Sequence, residues 1–268
     1  MQIVVTGHKG FIGGNLTQRL QEEGHAVVGI DLKTKNDVRD IEKVVKWKPD
    51  VIYHLAAQSR VQPSFDNPAE SVDTNVSGTR AVLDLARKTG AKVIYAGSSS
   101  KHHDPYDSPY ATTKYLGEEL CKMYRKCFDV DVEIARFYNV YGPGEALDPK
   151  NGNVIGIWRW CVENKQKAKI VGDGEQRRDF IHVDDIVNGL IMIADSVSHH
   201  EDAWELGTGT NYSINQLADM FYKKFDLEFE YVEDQKGNYR ETLNENTDAQ
   251  ERIGWKPTKG LTVYIKSL

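Results

Sequence analysis

Residues 6–13 read Thr6-Gly7-His8-Lys9-Gly10-Phe11-Ile12-Gly13, and this stretch decides the fold. Its glycines follow the spacing GxxGxxG. They sit between the apolar run Gln2 to Thr6 and a segment with Phe11, Leu16 and Leu20 at helical spacing. A strand that turns sharply into a helix needs residues without a Cβ at the turn. Bare backbone N–H groups at the helix start then suit a bound pyrophosphate. Working outward, Ala26 to Ile30 is β-rich and leads to Asp31, 31 − 13 = 18 residues past Gly13. A carboxylate there accepts hydrogen bonds from both ribose hydroxyls and repels a 2′-phosphate, so NAD is favoured over NADP.

The alternation continues. Val51 to Leu55, Lys92 to Ala96 and Val130 to Phe137 read as strands; Ala69 to Lys88 and Tyr110 to Phe128 read as helices. Nearly continuous apolar strands between helices predict an α/β fold with a doubly wound parallel sheet of the Rossmann type. Past Tyr141-Gly142-Pro143-Gly144 the pattern becomes irregular, with helices near Val154 to Asn164 and Ile214 to Lys224. The expected layout is a dinucleotide-binding domain over residues 1–150, rejoined by 174–200. A smaller C-terminal α/β substrate-binding cap takes 151–173 and 201–268.

Composition narrows the function. The 268 residues are 40% hydrophobic and 28% charged, which excludes a disordered chain. A net charge of −6 argues against a general nucleic-acid binder. The best apolar run, Gly189 to Ala194, is far short of the ~18 residues of a membrane span. The N-terminus lacks the basic start and long apolar core of a signal peptide. Cys121, Cys127 and Cys161 have no metal-ligand spacing, so they read as reduced thiols, with a cytoplasmic location and no metal expected.

Tyr110-Ala111-Thr112-Thr113-Lys114 is YxxxK, which puts both functional side chains on one helix face. An ammonium beside a phenol, together with an oxidised nicotinamide, lowers the phenol pKa from near ~10, so the tyrosinate can take a proton from a substrate hydroxyl. Ser98-Ser99-Ser100 follows a strand at the end where open α/β sheets bind ligands, and a serine there can relay that proton.

With these residues in view, the chain resembles the extended short-chain dehydrogenase/reductases that act on nucleotide sugars. The resemblance runs nearly end to end. It rests on Thr6 to Gly13, His54-Leu55-Ala56-Ala57, Asn75-Val76-Ser77-Gly78-Thr79, Ser108-Pro109-Tyr110 to Lys114 and Arg136-Phe137-Tyr138-Asn139-Val140-Tyr141-Gly142-Pro143. Gly172-Asp173-Gly174, Arg178 to Asp185 and Gly254-Trp255-Lys256-Pro257 complete it.

The resemblance implies roles. Gly7, Gly10, Phe11, Ile12 and Gly13 would hold the NAD pyrophosphate, Asp31 the ribose, and Asp37 with Val38 the adenine. Leu55, Ala56, Ala57, Asn75, Phe137 and Val140 would line the dinucleotide, together with Tyr110 and Lys114. Ser98, Tyr110 and Lys114 would be catalytic. Gln58, Asn139, Asn153, Val154, Lys169, Val171, Arg178, Gln235 and Thr242 would join Ser98 around a nucleotide-diphosphate sugar, with Arg178 on the phosphates. The helices near Ala69 to Lys88 and Tyr110 to Phe128 would pair in a homodimer.

Three departures stand out. A short loop follows Asp31. Only 12 residues separate Ser98 from Tyr110. The family's Arg-x-Gly-Asp reads Gln235-Lys236-Gly237-Asn238, leaving Lys236 or Arg240 to replace its arginine. Ser99 and Ser100 stand where 4,6-dehydratases carry Asp-Glu, and His102 and His103 read as exposed loop residues. A 4-epimerase of the UDP-glucose/UDP-N-acetylglucosamine type is therefore expected. A 4-ketosugar reductase, another nucleotide-sugar epimerase or dehydratase, and a dinucleotide-sensing regulator are the alternatives. Thr242, at the family's gate position, and the short loop would both leave room for an acetamido group.

Overall fold

The computed structural model describes residues 1–268. Its strands are β1 (Gln2–Thr6), β2 (Ala26–Ile30), β3 (Val51–His54), β4 (Lys92–Ser98), β5 (Val132–Phe137), β6 (Asn139–Tyr141), β7 (Ala168–Val171), β8 (Arg177–His182), β9 (Trp204–Leu206), β10 (Asn211–Ser213) and β11 (Phe229–Val232). Six of them form one wholly parallel sheet in the order β2-β1-β3-β4-β5-β9. This is the expected Rossmann-like α/β fold. The chain leaves β1 for β2 on one side and returns to β3 on the other, so the carboxyl ends of β1 and β3 bracket a crevice.

Both faces of the sheet are covered, which explains why the strands are apolar on both sides. Helices Gly78–Thr89 and Pro109–Phe128 cover one face over Val4, Ile52, Val93 and Ile134. Helices Phe11–Glu22 and Val183–Asp195 cover the other over Ile3, Val5, Ile94 and Ala135. A third core lies outside the sheet, where Trp158, Ile170, Phe180, Leu217 and Phe221 pack together. The strand pair β7–β11 and the sheet β10-β8-β6 frame it. No helix is long and apolar enough to cross a membrane.

The expected boundary at residue 201 needs correction. β9 pairs with β5 through Ala135↔Trp204, so it belongs to the main sheet. Ala249 and Trp255 also pack into the sheet's core, and the Trp255 indole donates to the Asp185 carbonyl at 2.9 Å. Three-residue β9 has no periodicity to mark it; its partner strand lies 69 residues earlier in register, Arg136↔Glu205.

Behind the catalytic helix sits a buried ion network. Arg136, 2% exposed, pairs with Glu118 at 2.7 Å, Glu205 at 2.8 Å and the half-exposed Asp202 at 2.7 Å. His102, exposed as expected, also bonds Glu205 at 2.9 Å and so joins the network.

Candidate active site

The glycine turn makes a cradle. Gly7 has φ +74°, and a Cβ there would lie 2.8 Å from the Ala56 amide nitrogen. A Cβ on Gly13 would meet the Gly7 carbonyl oxygen at 2.1 Å. Only bare backbone lets the turn, the end of β3 and the helix approach so closely. Helix Phe11–Glu22 begins at Gly10 with no side-chain cap, leaving its first N–H groups for a ligand. Asp31 accepts from the Lys9 amide at 2.9 Å and the Lys33 amide at 2.8 Å. A carboxylate offers about four acceptor sites, so two remain for ribose hydroxyls. The cradle and this carboxylate fit an NAD pyrophosphate and ribose.

At the other end of the crevice, Ser98 ends β4 and its Oγ gathers three donors. Tyr110 Oη lies at 3.2 Å, Ser100 Oγ at 2.9 Å and the Ser100 amide at 3.2 Å. Tyr110 enters on helix Pro109–Phe128, which Ser108 caps by accepting from the Ala111 amide. The Tyr110 amide donates to Ser64 Oγ at 3.1 Å, which seats the helix start. Ser100, the last of the strand-end serines, lies two residues past Ser98 in a tight turn and donates to the Ser98 hydroxyl.

Lys114 behaves differently from expectation. Its ammonium donates to the Ala96 carbonyl and lies 4.6 Å from the Tyr95 ring centre. Burial pushes it down to about 8. Burial also pushes the Tyr110 phenol up, against opposing pulls from the Ser98 hydroxyl and the Arg60 guanidinium. The pulls that oppose burial at the phenol thus come from Ser98 and Arg60, and the Lys114 ammonium is turned to the Ala96 carbonyl.

One cleft of about 1170 Å³ joins the two ends. It is lined by every expected site residue except Gln58 and Asn75. Those two clasp each other. Asn75, 2% exposed in a π-helical turn, accepts from the Gln58 amide at 2.8 Å and donates to the Gln58 carbonyl and Thr113 Oγ1. Asn75 thus fixes the loop after β3. Asp37 is held by Arg39 at 2.6 Å, and that hydrogen-bonded pair keeps its carboxyl below the usual range.

The cap supplies the remaining wall. Asn153 caps helix Val154–Glu163, accepting from the Gly156 amide, and donates to the Val140 carbonyl at 2.7 Å. Asn139 donates to Thr242 Oγ1 at 3.0 Å, and Thr242 is 7% exposed, so it is a wall residue and not a solvent-facing one. Arg178 makes no ion pair with Asp179, whose carboxylate takes the Thr208, Gly209 and Asn244 amides. Instead it donates to the Arg177 carbonyl and Asn238 Oδ1, and burial pulls it down to about 10. Neither substitute for the lost arginine serves. Arg240 pairs with Asp173 at 2.8 Å, and Lys236 does not line the cleft.

Among the lining residues outside the sequence expectation are Arg60 and Tyr239. The Tyr239 ring stacks on His103 at 3.9 Å between centres, and its buried hydroxyl has no partner. Tyr239 thus lines the cleft with His103 of the short Ser98-to-Tyr110 loop stacked on it. Only a signal for contact between residues 103 and 239 would have found it.

The sequence pattern of the NAD-dependent epimerase/dehydratase family matches residues 3–207. The chain is 31% identical to a UDP-glucose 4-epimerase of Mycolicibacterium smegmatis, over 99% of this chain and 96% of that one. It is 30% identical to a UDP-glucuronate 4-epimerase of Thermodesulfobacterium geofontis, over 98% and 93%. The crystal structure of the Thermotoga maritima UDP-glucose 4-epimerase with UDP-glucose superposes with a TM-score of 0.90, at 26% identity, over 99% of this chain and 96% of that one. The chain accordingly belongs to the NAD-dependent epimerase/dehydratase family, as an enzyme of nucleotide-sugar chemistry whose cofactor is NAD.

Proposed function

We propose that the enzyme is a nucleotide-sugar 4-epimerase, taking a UDP-linked hexose through oxidation at C4 and re-reduction on the opposite face. The observation that carries this reading is the acid/base inventory of the cleft. Tyr110 and Ser98 form a proton-transfer pair 3.2 Å apart, while Asp31 and Asp37, both at the adenosine end, are the only carboxylates lining the cleft. Elimination of water across C5 and C6 needs a further acid and base beside the pair, and Ser99 and Ser100 are neither. The dinucleotide supplies, when bound, a reversible hydride acceptor. Tyr110 takes the C4 hydroxyl proton, Ser98 hydrogen-bonds the same oxygen and passes the proton between them, and Lys114 holds the helix to β4. Arg178 meets the diphosphate with a guanidinium free of carboxylate partners. The small side chain of Thr242 leaves the wall near C2 open to an acetamido group.

We further propose a homodimer. Leu116, Met123 and Phe128 are 40–41% exposed along helix Pro109–Phe128, and Val72 is 46% exposed. Proton NMR of UDP-glucose and UDP-N-acetylglucosamine incubated with the enzyme tests the reaction. Appearance of the C4 epimer with no net NADH is expected. A 4-keto-6-deoxy product, or net consumption of NADH on a ketosugar, would refute it.

A further inference from the structure

We propose that Arg60 reads a negative charge on the sugar, so that the substrate of the epimerase site proposed above is a nucleotide-linked uronic acid. This inference rests on that reading and adds the sugar's class to it. Arg60 lines the cleft together with Tyr110, and the two are tied locally. Arg60 begins helix Val61–Asp66, and Ser64 of that helix accepts from the Tyr110 amide. The guanidinium therefore stands at the catalytic end, opposite Asp31.

Its bonding is incomplete. Of about five N–H donors on a guanidinium, one is used, to the Asn151 carbonyl at 2.5 Å. The nearest carboxylates are engaged elsewhere. Asp148 accepts from the Lys150 and Asn151 amides, and Glu145 pairs with Arg159 at 3.1 Å. Burial accordingly pulls Arg60 below its ordinary range. A partly buried guanidinium with free donors on the cleft wall is a ready partner for a ligand anion.

Five other cations line the cleft. Arg178 lies on the cap wall, where the diphosphate belongs, and Lys114 is docked on the Ala96 carbonyl. Lys167 and Lys169 pair with Glu228 and Glu230, and Lys150 is exposed. Arg60 is the partly buried cation left over. Tyr110 must face the C4 oxygen, so a group beside it meets the neighbours of C4. In a hexopyranose, C6 is the only carbon outside the ring, and hence the only one that carries a carboxylate with the ring intact. The acid is therefore at C6. This leaves C2, on the Thr242 side, free to carry a hydroxyl or an acetamido group.

UDP-glucose and UDP-glucuronate differ only at C6, so their kcat/KM ratio is the readout, measured on the wild type, Arg60→Gln and Arg60→Lys. The wild type is expected to favour UDP-glucuronate at least tenfold, a fraction of what a charge-assisted hydrogen bond can supply. Arg60→Gln should lower the ratio on the order of ten- to a hundredfold, and Arg60→Lys should lie between, since lysine keeps the charge without the fork. A wild type that favours UDP-glucose overturns the proposal. So does an Arg60→Gln variant that lowers both substrates equally, or one whose affinity for UDP alone falls by the same factor. If neither sugar is epimerised, the reaction reading fails by itself. Calorimetric binding of the two nucleotide sugars then decides on Arg60, upholding it if Arg60→Gln abolishes a preference for the acid and refuting it if the wild type shows none.

Discussion

Replacing Lys114 by methionine should abolish activity and yet stabilise the protein. Lys114 is 5% exposed, and burial brings its ammonium from 10.5 to about 8. At about 1.36 kcal/mol for each tenfold step, that fall corresponds to about 3 kcal/mol of folding free energy spent on keeping the charge inside. Methionine has similar length and no charge. It forfeits the bond to the Ala96 carbonyl, worth about 1 kcal/mol, and the contact with the Tyr95 face, worth about 0.5–1 kcal/mol. The net gain is about 1–2 kcal/mol at pH 7, read as a higher urea midpoint with an unchanged slope. The pH dependence follows from the direction of the shift. Below about 8 the lysine is charged in both states and the folded state bears the whole cost. Between about 8 and 10.5 the folded protein releases the proton while the unfolded chain keeps it, so the wild type gains stability and the variant's lead shrinks. A Lys114→Met protein that unfolds at lower urea than the wild type, or whose lead is the same at pH 7 and pH 10, would refute the argument. Loss of kcat by about 10²-fold or more should accompany the gain, measured on the substrate that NMR identifies.

Tyr110→Phe should lower kcat by about 10²-fold or more with an unchanged melting temperature. Ser98→Ala should cost more than Ser99→Ala, and the reverse order would show that the wrong serine faces the sugar. Arg136→Met leaves Glu118 and Glu205 buried without their cation and should destabilise by about 3–5 kcal/mol. That penalty should shrink toward pH 5 as the orphaned carboxylates take up protons, as urea titrations at several pH values will show. Thr242→Tyr should suppress turnover of 2-acetamido sugars more than that of their 2-hydroxy counterparts; equal loss on both would remove the residue from the C2 wall. Light scattering should give a dimer mass for the wild type and a monomer for the pair Leu116→Lys with Met123→Lys.

Much of the sheet was legible because its strands are short, apolar on both sides and separated by helical periodicity. The glycine turn was legible for a local reason: each glycine answers a steric demand within eight residues of itself or at the end of the next strand but one. What escaped was whatever depends on distant contact. Asn75 read as a residue lining the dinucleotide, and what could not be read was that its amide ties the Gln58 backbone with two hydrogen bonds and Thr113 Oγ1 with a third. YxxxK placed Tyr110 and Lys114 on one face correctly, yet spacing along a helix cannot tell whether the ammonium turns to the phenol or to the carbonyl of Ala96. His102 is exposed as it read, but its bond at 2.9 Å to Glu205, about a hundred residues away, left no mark in the sequence. Arg60 belongs to no spacing at all; only the closing of the cleft around it marks it.

Tyr110, Lys114 and Glu118 succeed one another at intervals of four along a single helix, and each engages a different layer: the sugar site, the β4 carbonyl of Ala96 and the guanidinium of Arg136. The helix is thereby pinned at three heights, so it can neither slide by a turn nor roll about its axis without breaking buried bonds. For the epimerase reaction proposed above this has a kinetic meaning. The ketosugar must present its other face between the two hydride transfers, and a proton donor that drifted during that turn would meet the returning oxygen out of line. With the acid anchored like a fixed electrode, the mobile partner is the sugar alone. Its rotation can be governed from the cap without detuning the proton-transfer pair.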